Sequence, residues 1–501
     1  MSQLPHGVEL PPPGPPASPR LASSVLLWRE GSGGRELFWV RRGPALRFSA
    51  GFYAFPGGKI DREDAHIPVR GESGGQAAAI VAAARELFEE AGVLVAHGAA
   101  GVPGDAREQA RRALLDGQLD FATFLARHRL ALDAAHFLPA GRWVTPVVSP
   151  LRFDARTFAV RFPAGETAVV WPGELSAGEW ITTRGALARW AAGEALLHPP
   201  NLWPIRCLDR GEPEAVLDAL WAPPQTEEGI PRRIEFQEGL FHFPLRTPTL
   251  PPATHTATVM LALERGLAVV DPGSPYPEEQ AALERLLDEY AAEGLAPREI
   301  WITHAHRDHV GGVARLRARY GIPVRAHPDA AARLPAGAGP VEPLADGEIL
   351  GERWRVLHTP GHAHGHLAFR DERTGAVLAG DLVSTLSTIV VDPPEGDMAV
   401  YLASLERLRA LAPRTLYPSH GAPAPDGVRT LEQYLAHRRE REEKVRAALA
   451  AGGTLAEITA RAYDDTPVGI HPIAQRSCLA SLLKLEAEGR ARRDGAGWRS
   501  A

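Results

Sequence analysis

One stretch, Ile302-Thr-His-Ala-His-Arg-Asp-His309-Val-Gly-Gly312, places three histidines and an aspartate within six positions behind an apolar run. Imidazole and carboxylate at that density suit zinc. Two histidines one residue apart at a strand end can converge on one ion while the next Asp-His pair turns towards a second. Three later residues each follow a short apolar run and have Gly or Pro beside them: His362 in Thr359-Pro-Gly-His-Ala-His-Gly-His366, Asp381 in Leu378-Ala-Gly-Asp-Leu382, and His420 in Tyr417-Pro-Ser-His-Gly421. A side chain placed there is rigidly held yet open to a cleft. Two ions about 3.5–4 Å apart would bring the pKa of a shared water to about 7 and polarise a carbonyl or phosphoryl oxygen. Ester, thioester, amide and phosphodiester hydrolysis all stay open. His364 and His366 read as supporting or solvated residues rather than ligands.

A second candidate lies upstream on a helix expected over residues 77–91, which carries Arg85-Glu-Leu-Phe-Glu-Glu-Ala-Gly-Val93. Glu86, Glu89 and Glu90 share one helical face, while Ile80, Ala84 and Leu87 line a different, apolar one. Carboxylates crowded in this way repel by a few tenths of a kcal/mol per pair, roughly, and Arg85 relieves only part of it. A divalent cation would relieve all of it. Hard oxygen ligands favour Mg²⁺ or Mn²⁺, and Mg²⁺ usually shares its shell with substrate phosphates.

The downstream set, His-x-His-x-Asp-His, His, Asp, His, is complete and in order, and it resembles the metallo-β-lactamase superfamily. The resemblance implies that His304, His306 and His362 hold one zinc and Asp308, His309 and His420 the other, with Asp381 bridging. Upstream, Gly51-Phe-Tyr-Ala-Phe-Pro-Gly-Gly-Lys-Ile-Asp61 and the glutamate helix resemble the Nudix hydrolase motif, Gly-x5-Glu-x7-Arg-Glu-U-x-Glu-Glu-x-Gly-U, U being aliphatic. Gly58 and the run from Arg85 to Val93 match it. Asp64 stands at the first Glu position, or Glu63 if the count starts from Gly57. From 58 to 85 is 27 positions where the motif has 14, an insertion of 13. These extra residues, roughly 65 to 77, are Gly-rich and are expected to loop out.

With Arg41-Arg-Gly43 before the box and Gly193-Glu-Ala-Leu-Leu-His-Pro-Pro-Asn201 after it, the segment is similar to the branch that includes coenzyme A diphosphatases. That implies cleavage of a nucleoside diphosphate derivative, with Glu86, Glu89 and Glu90 as metal ligands or base. Near the end of the chain, Pro394-Glu-Gly-Asp-Met398 and His437-Arg-Arg-Glu-Arg-Glu442 resemble the β-lactamase-like branch that contains single-strand endoribonucleases. The tail itself resembles a winged helix. Glu89, Glu90, Asp308 and Asp381 are the residues expected to carry catalysis.

The elements that must position these groups follow from hydrophobic period. Val25-Leu-Leu-Trp28 and Leu37-Phe-Trp-Val40 flank a Gly-rich turn as in a hairpin, and strands and helices then alternate. The architecture expected is α/β and α+β multidomain. It comprises a disordered Pro-rich lead-in over 1–20, a Nudix-like α/β/α sandwich over 21–224, a metallo-β-lactamase-like αββα sandwich over 225–427, and a winged-helix-like helical module over 428–501. The Pro- and Glu-rich stretch Ala222–Pro231 reads as the linker between halves.

A net charge of −6 argues against a chain-wide nucleic-acid footprint, and positive charge is almost all Arg, with Lys only at positions 59, 444 and 484. Cys207 and Cys478 stand far apart, which excludes a disulfide framework or cysteine zinc site. No apolar run spans a bilayer and the first residues lack a signal pattern, so a cytoplasmic protein with no membrane partner is expected. The function expected is a two-centre metal-dependent hydrolase, with Mg²⁺ or Mn²⁺ at the first centre and two Zn²⁺ at the second. One alternative is a zinc ribonuclease with a nucleotide-sensing first domain, and another is a non-enzymatic adaptor that recruits nucleic acid. For the zinc centre, single-stranded RNA is slightly favoured over a small ester or thioester. Arg490, Arg492, Arg493, Arg499 and Trp498 would then contact RNA, and a homodimer or lid is the tail's other role.

Overall fold

The computed structural model describes residues 17–46, 49–147, 149, 151–171, 173–223 and 233–501. The Pro-rich lead-in before residue 17 and linker residues 224–232 lie outside these. Described residues up to Glu238 form one compact unit, and those from Gly239 to Ala501 form another.

In the first unit, Arg20–Gly31 pairs antiparallel with Gly34–Arg42 across the Gly-rich turn and parallel with Phe153–Arg161. Alternation along the first strand fills two cores. Val25 and Leu27 pack with Ile80, Ala84 and Leu87 of the glutamate helix, and Leu26 and Trp28 pack with Ala186, Trp190 and Leu202 on the opposite face. The sheet therefore lies between two helical layers. The glutamate helix runs Gly74–Ala91 and stops where Gly92 turns left-handed at φ 72°.

The insertion does not loop out as its glycines suggest. It forms a 3₁₀ turn, Glu63–His66, and a short strand, Val69–Arg70, paired with Leu132–Asp133. Ile67 and Val69, two residues apart, reach the core and anchor it, so apolar burial outweighs the Gly-rich composition that follows.

The second unit stacks two sheets. Leu240–Arg246, His255–Ala262 and Leu267–Val270 form an antiparallel meander that continues in parallel through Pro297–Trp301, Val324–Ala326 and Val341–Pro343. Opposite it, Ile349–Leu350, Trp354–His358, Leu367–Asp371 and Val377–Gly380 run antiparallel, and Leu416–Pro418 joins parallel to the last. Trp301 and Phe369 meet between the sheets with centroids 5.2 Å apart. Helix Pro277–Ala292 packs Tyr290 on Phe241 of the first sheet, and Met398–Ala410 buries Tyr401 and Leu405 in the core of the second.

The chain then forms helices Gly427–Ala448, Leu455–Ala462 and His471–Ala487 and a hairpin that sets Arg493 opposite Trp498. Trp498 corrects the sequence reading. It is 6% exposed, packed with Val445, Ile458, Cys478 and Leu482, because paired backbone bonds with Gly453 draw the hairpin onto the helices. Trp498→Ala is therefore expected to lower stability by about 3–5 kcal/mol, measured by denaturant unfolding of the full chain. A loss under about 1 kcal/mol would mean that the ring is not in the core. Among the described residues no helix is long and apolar enough to cross a membrane.

Candidate metal centres

In the second unit the candidate ligands sit where strands end. Thr303 and His304 follow Pro297–Trp301, His362 follows Trp354–His358, Asp381 follows Val377–Gly380, and His420 follows Leu416–Pro418. Loops at strand ends bring distant residues to one point on a rigid frame. His306 Nδ1 lies 3.0 Å from His304 Nε2 and 3.1 Å from His362 Nε2. A tetrahedral zinc with Zn–N of about 2.0–2.1 Å has ligand nitrogens about 3.3–3.4 Å apart, so this triangle fits one ion closely. A second convergent set is Asp308, His309 and His420. Asp381 lies between them: its Oδ2 is 4.0 Å from His304 Nε2, 3.6 Å from His309 Nε2, 3.5 Å from His362 Nε2 and 3.4 Å from His420 Nε2.

The remaining ring nitrogens are held from behind. His362 Nδ1–H donates to the Val390 carbonyl at 2.9 Å and His420 Nδ1–H to the His255 carbonyl at 3.1 Å. Asp271 does the same for two residues at once. Its carboxylate accepts from His309 Nδ1 at 2.8 Å and from the Thr303 hydroxyl at 2.5 Å, and Thr303 Oγ1 lies 3.0 Å from His304 Nδ1. This chain of bonds leaves Nε2 of both His304 and His309 facing the centre. His366 is buried; its Nε2 accepts the Asp381 backbone N–H at 3.1 Å and its Nδ1 meets Thr359 Oγ1 at 2.9 Å. His364 is exposed and accepts from Arg333. Gly380, at φ 53°, leaves room for the His366 ring that any side chain would fill.

Two buried polar atoms at this centre, His309 Nε2 and Asp381 Oδ1, have no hydrogen-bond partner among the described residues. Burial alone would lower the His309 pKa, yet the carboxylates of Asp381, Asp308 and Asp271 push it well above its ordinary value. Burial, followed by the neighbouring His306, brings His362 down to about 4. Negative charge in the pocket thus calls for positive charge, and the orphaned atoms give a cation its ligands, so divalent metal fits.

Sequence reading passed over Asp271, whose only signal is an Asp-Pro-Gly closing a buried strand. Asp271→Asn keeps the shape but turns one acceptor into a donor. It is expected to weaken metal binding by about 10–100-fold, read by chelator competition. Unchanged affinity would leave Asp271 a purely structural residue.

Comparison with known proteins matches residues 250–420 to the metallo-beta-lactamase superfamily and residues 454–498 to the beta-lactamase associated winged helix domain. Residues 250–420 are a metallo-β-lactamase domain. The lactamase domain makes the protein a metal-dependent hydrolase. The lactamase-like protein vrtG of Penicillium aethiopicum is 29% identical over 293 residues, 55% of this chain and 87% of that protein. The atrochrysone carboxyl ACP thioesterase AacuM of Aspergillus aculeatus is 33% identical over 155 residues, 30% of this chain and 46% of that protein, so the match spans less than half of it. Among solved structures, a NUDIX hydrolase from Alicyclobacillus acidocaldarius is 30% identical, with 40% of this chain and 96% of that one covered at a TM-score of 0.36.

In the first unit the glutamates are arranged differently from the lactamase ligands. Arg85 Nη1 sits between Glu86 Oε1 at 2.8 Å and Glu89 Oε2 at 3.2 Å, and Glu90 Oε2 accepts the Gly57 N–H at 2.8 Å. Glu86, Glu89 and Glu90 share a helix face without closing into one ligand cluster among the described residues. Burial raises Glu90 to about 8 and Glu86 to about 7. Asp64 is buried and takes Arg85 Nε and Nη2 at 3.1 Å each, whereas Glu63 is exposed, so Asp64 is the residue facing Arg85 across the insertion. Gly58 lies against the Glu86 carboxylate, where a Cβ would collide with it.

Proposed function

We propose that the lactamase domain is a two-zinc hydrolase acting on an acyl thioester. One observation carries the metal reading: Asp381 Oδ2 lies 3.4–4.0 Å from four imidazole nitrogens, between two sets of three ligands. His304, His306 and His362 would hold one ion and Asp308, His309 and His420 the other. Bound there, zinc supplies a water-derived nucleophile at neutral pH and polarises the scissile carbonyl. Asp271 and His366 keep the ligands aimed, and Asp381 joins the two sets.

The thioester class draws on relatives named as ACP thioesterases, 33% and 29% identical in their matched parts. The tail bears only on the RNA alternative, for which Arg492 alone of its candidate residues is exposed and outside any ion pair among the described residues. RNA calls for free cations and open aromatic faces. Here Trp498 is buried, and Arg490, Arg493 and Arg499 pair with Glu488, Glu486 and Asp494.

For the first unit we propose Nudix-type hydrolysis of a nucleoside diphosphate derivative with Mg²⁺ or Mn²⁺, coenzyme A being the first candidate. The motif supports this, as do the Asp64–Arg85 pair and the fit of Gly57 and Gly58 to Glu90 and Glu86. An acyl-coenzyme A probes both centres of the full chain at once: thiol release reports thioester cleavage and release of 3′-phosphoadenosine monophosphate reports diphosphate cleavage. Thiol release that needs zinc is the expected result. Cleavage of single-stranded RNA with no thiol release would overturn the substrate reading.

A further inference from the structure

The segment from Leu382 to Asp397 has neither helix nor strand of its own, yet it touches the zinc ligands. The Val390 carbonyl takes the His362 Nδ1–H, and Glu395 Oε2 lies 3.6 Å from His306 Nε2. Both histidines belong to the same three-nitrogen set.

The ends of this segment are held by the lactamase domain, where Tyr401 donates to the Leu382 carbonyl and the Gly361 carbonyl accepts the Asp397 N–H, and its middle is held by the C-terminal module. Ser477 Oγ accepts the Val391 N–H at 3.2 Å, and Arg476 Nη1 donates to Asp392 Oδ2 at 2.5 Å. The buried Arg438 guanidinium donates to the Ile389 carbonyl, and the Tyr434 hydroxyl accepts the Ser384 N–H at 2.6 Å. Residues 389, 391 and 392 are thus tied to the module while the carbonyl of residue 390 reaches the metal centre. Helix His471–Ala487, which carries Arg476 and Ser477, is covered on two sides. Cys478, Leu482 and Leu485 enter the module's core, and Ala480 enters the core of the second sheet with Leu405 and Leu431.

We infer that the C-terminal module is an intramolecular brace for the zinc centre. Arg476, Ser477 and Arg438 fix the segment, the segment presents Val390 and Glu395, and these orient His362 and His306. The three module residues are positioning residues. A histidine ligand that loses the acceptor behind its ring binds metal about 10–100-fold more weakly, and the brace exists to keep that acceptor in place. The inference rests on reading His306 and His362 as zinc ligands.

The test is zinc affinity by chelator competition in the full chain, with unfolding curves alongside. Arg476→Ala and Asp392→Ala are each expected to weaken zinc binding by about tenfold or more, and the double variant no further than either alone. Arg476→Lys should recover part of the loss. Ser477→Ala, a milder change, serves if Arg476→Ala does not fold, and it too should weaken zinc binding. Zinc affinity within about twofold of wild type in folded variants would overturn the brace. Wild-type chain that binds no zinc would instead overturn the two-zinc reading on which the brace rests.

Discussion

Asp381→Ala is expected to lower zinc-dependent thioester hydrolysis by about 10³-fold or more, the scale of losing one member of a catalytic set. Four imidazoles surround its Oδ2, and its Oδ1 is buried without a partner among the described residues. Taking the carboxylate away would remove the one carboxylate that lies between the two sets, so two divalent cations bound there would repel each other with less negative charge to offset it. Occupancy of one site should then be lost along with rate. Initial rates and zinc content on the same preparation check this, and a loss below about tenfold would remove Asp381 from the centre.

At the first unit the largest effect is expected from Glu90→Gln. Glutamine keeps the side chain's length and can still accept the Gly57 N–H, so the loop stays in place while the charge goes. Mg²⁺-dependent diphosphate hydrolysis should fall by about 10²–10⁴-fold. The same change should stabilise the metal-free protein, with a sign set by the pKa. Burial raises Glu90 from 4.5 to about 8 in the folded chain, so folding favours the protonated form. Wild type therefore loses stability as pH rises through that window, because the unfolded chain gives up its proton first. Glutamine has no proton to lose. Melting curves should coincide near pH 4 and separate in favour of the variant near pH 8, and equal curves at both would mean that Glu90 is not held neutral.

The candidate metal ligands that the structure brings together were legible because they stand in a dense local pattern, and His362, Asp381 and His420 each follow an apolar run that announces a strand end. Asp271 was not: one carboxylate behind one strand has no pattern around it, and its role exists only where the loop of Thr303 comes back beside it. The choice between Glu63 and Asp64 was open in the sequence for a similar reason. Side chains adjacent in the chain differ only in which way the 3₁₀ turn points them, and here it buries Asp64 against Arg85. Trp498 shows the reverse failure. Its arginine neighbours suggested an open surface, whereas the alternation of the hairpin sends the ring inward with Arg493 over it and puts Arg492 and Arg499 on the other face. The stretches around Pro394 and His437 stood out in the sequence as marks of a branch, and in space Glu395 and Arg438 serve one irregular segment beside the metal centre.

In the proposed centre the lactamase domain holds two ions in the sets joined by Asp381. Elemental analysis of the 501-residue chain, purified and equilibrated with zinc, tests this most directly. About two zinc ions per chain are expected, and fewer than about one per chain would contradict the account.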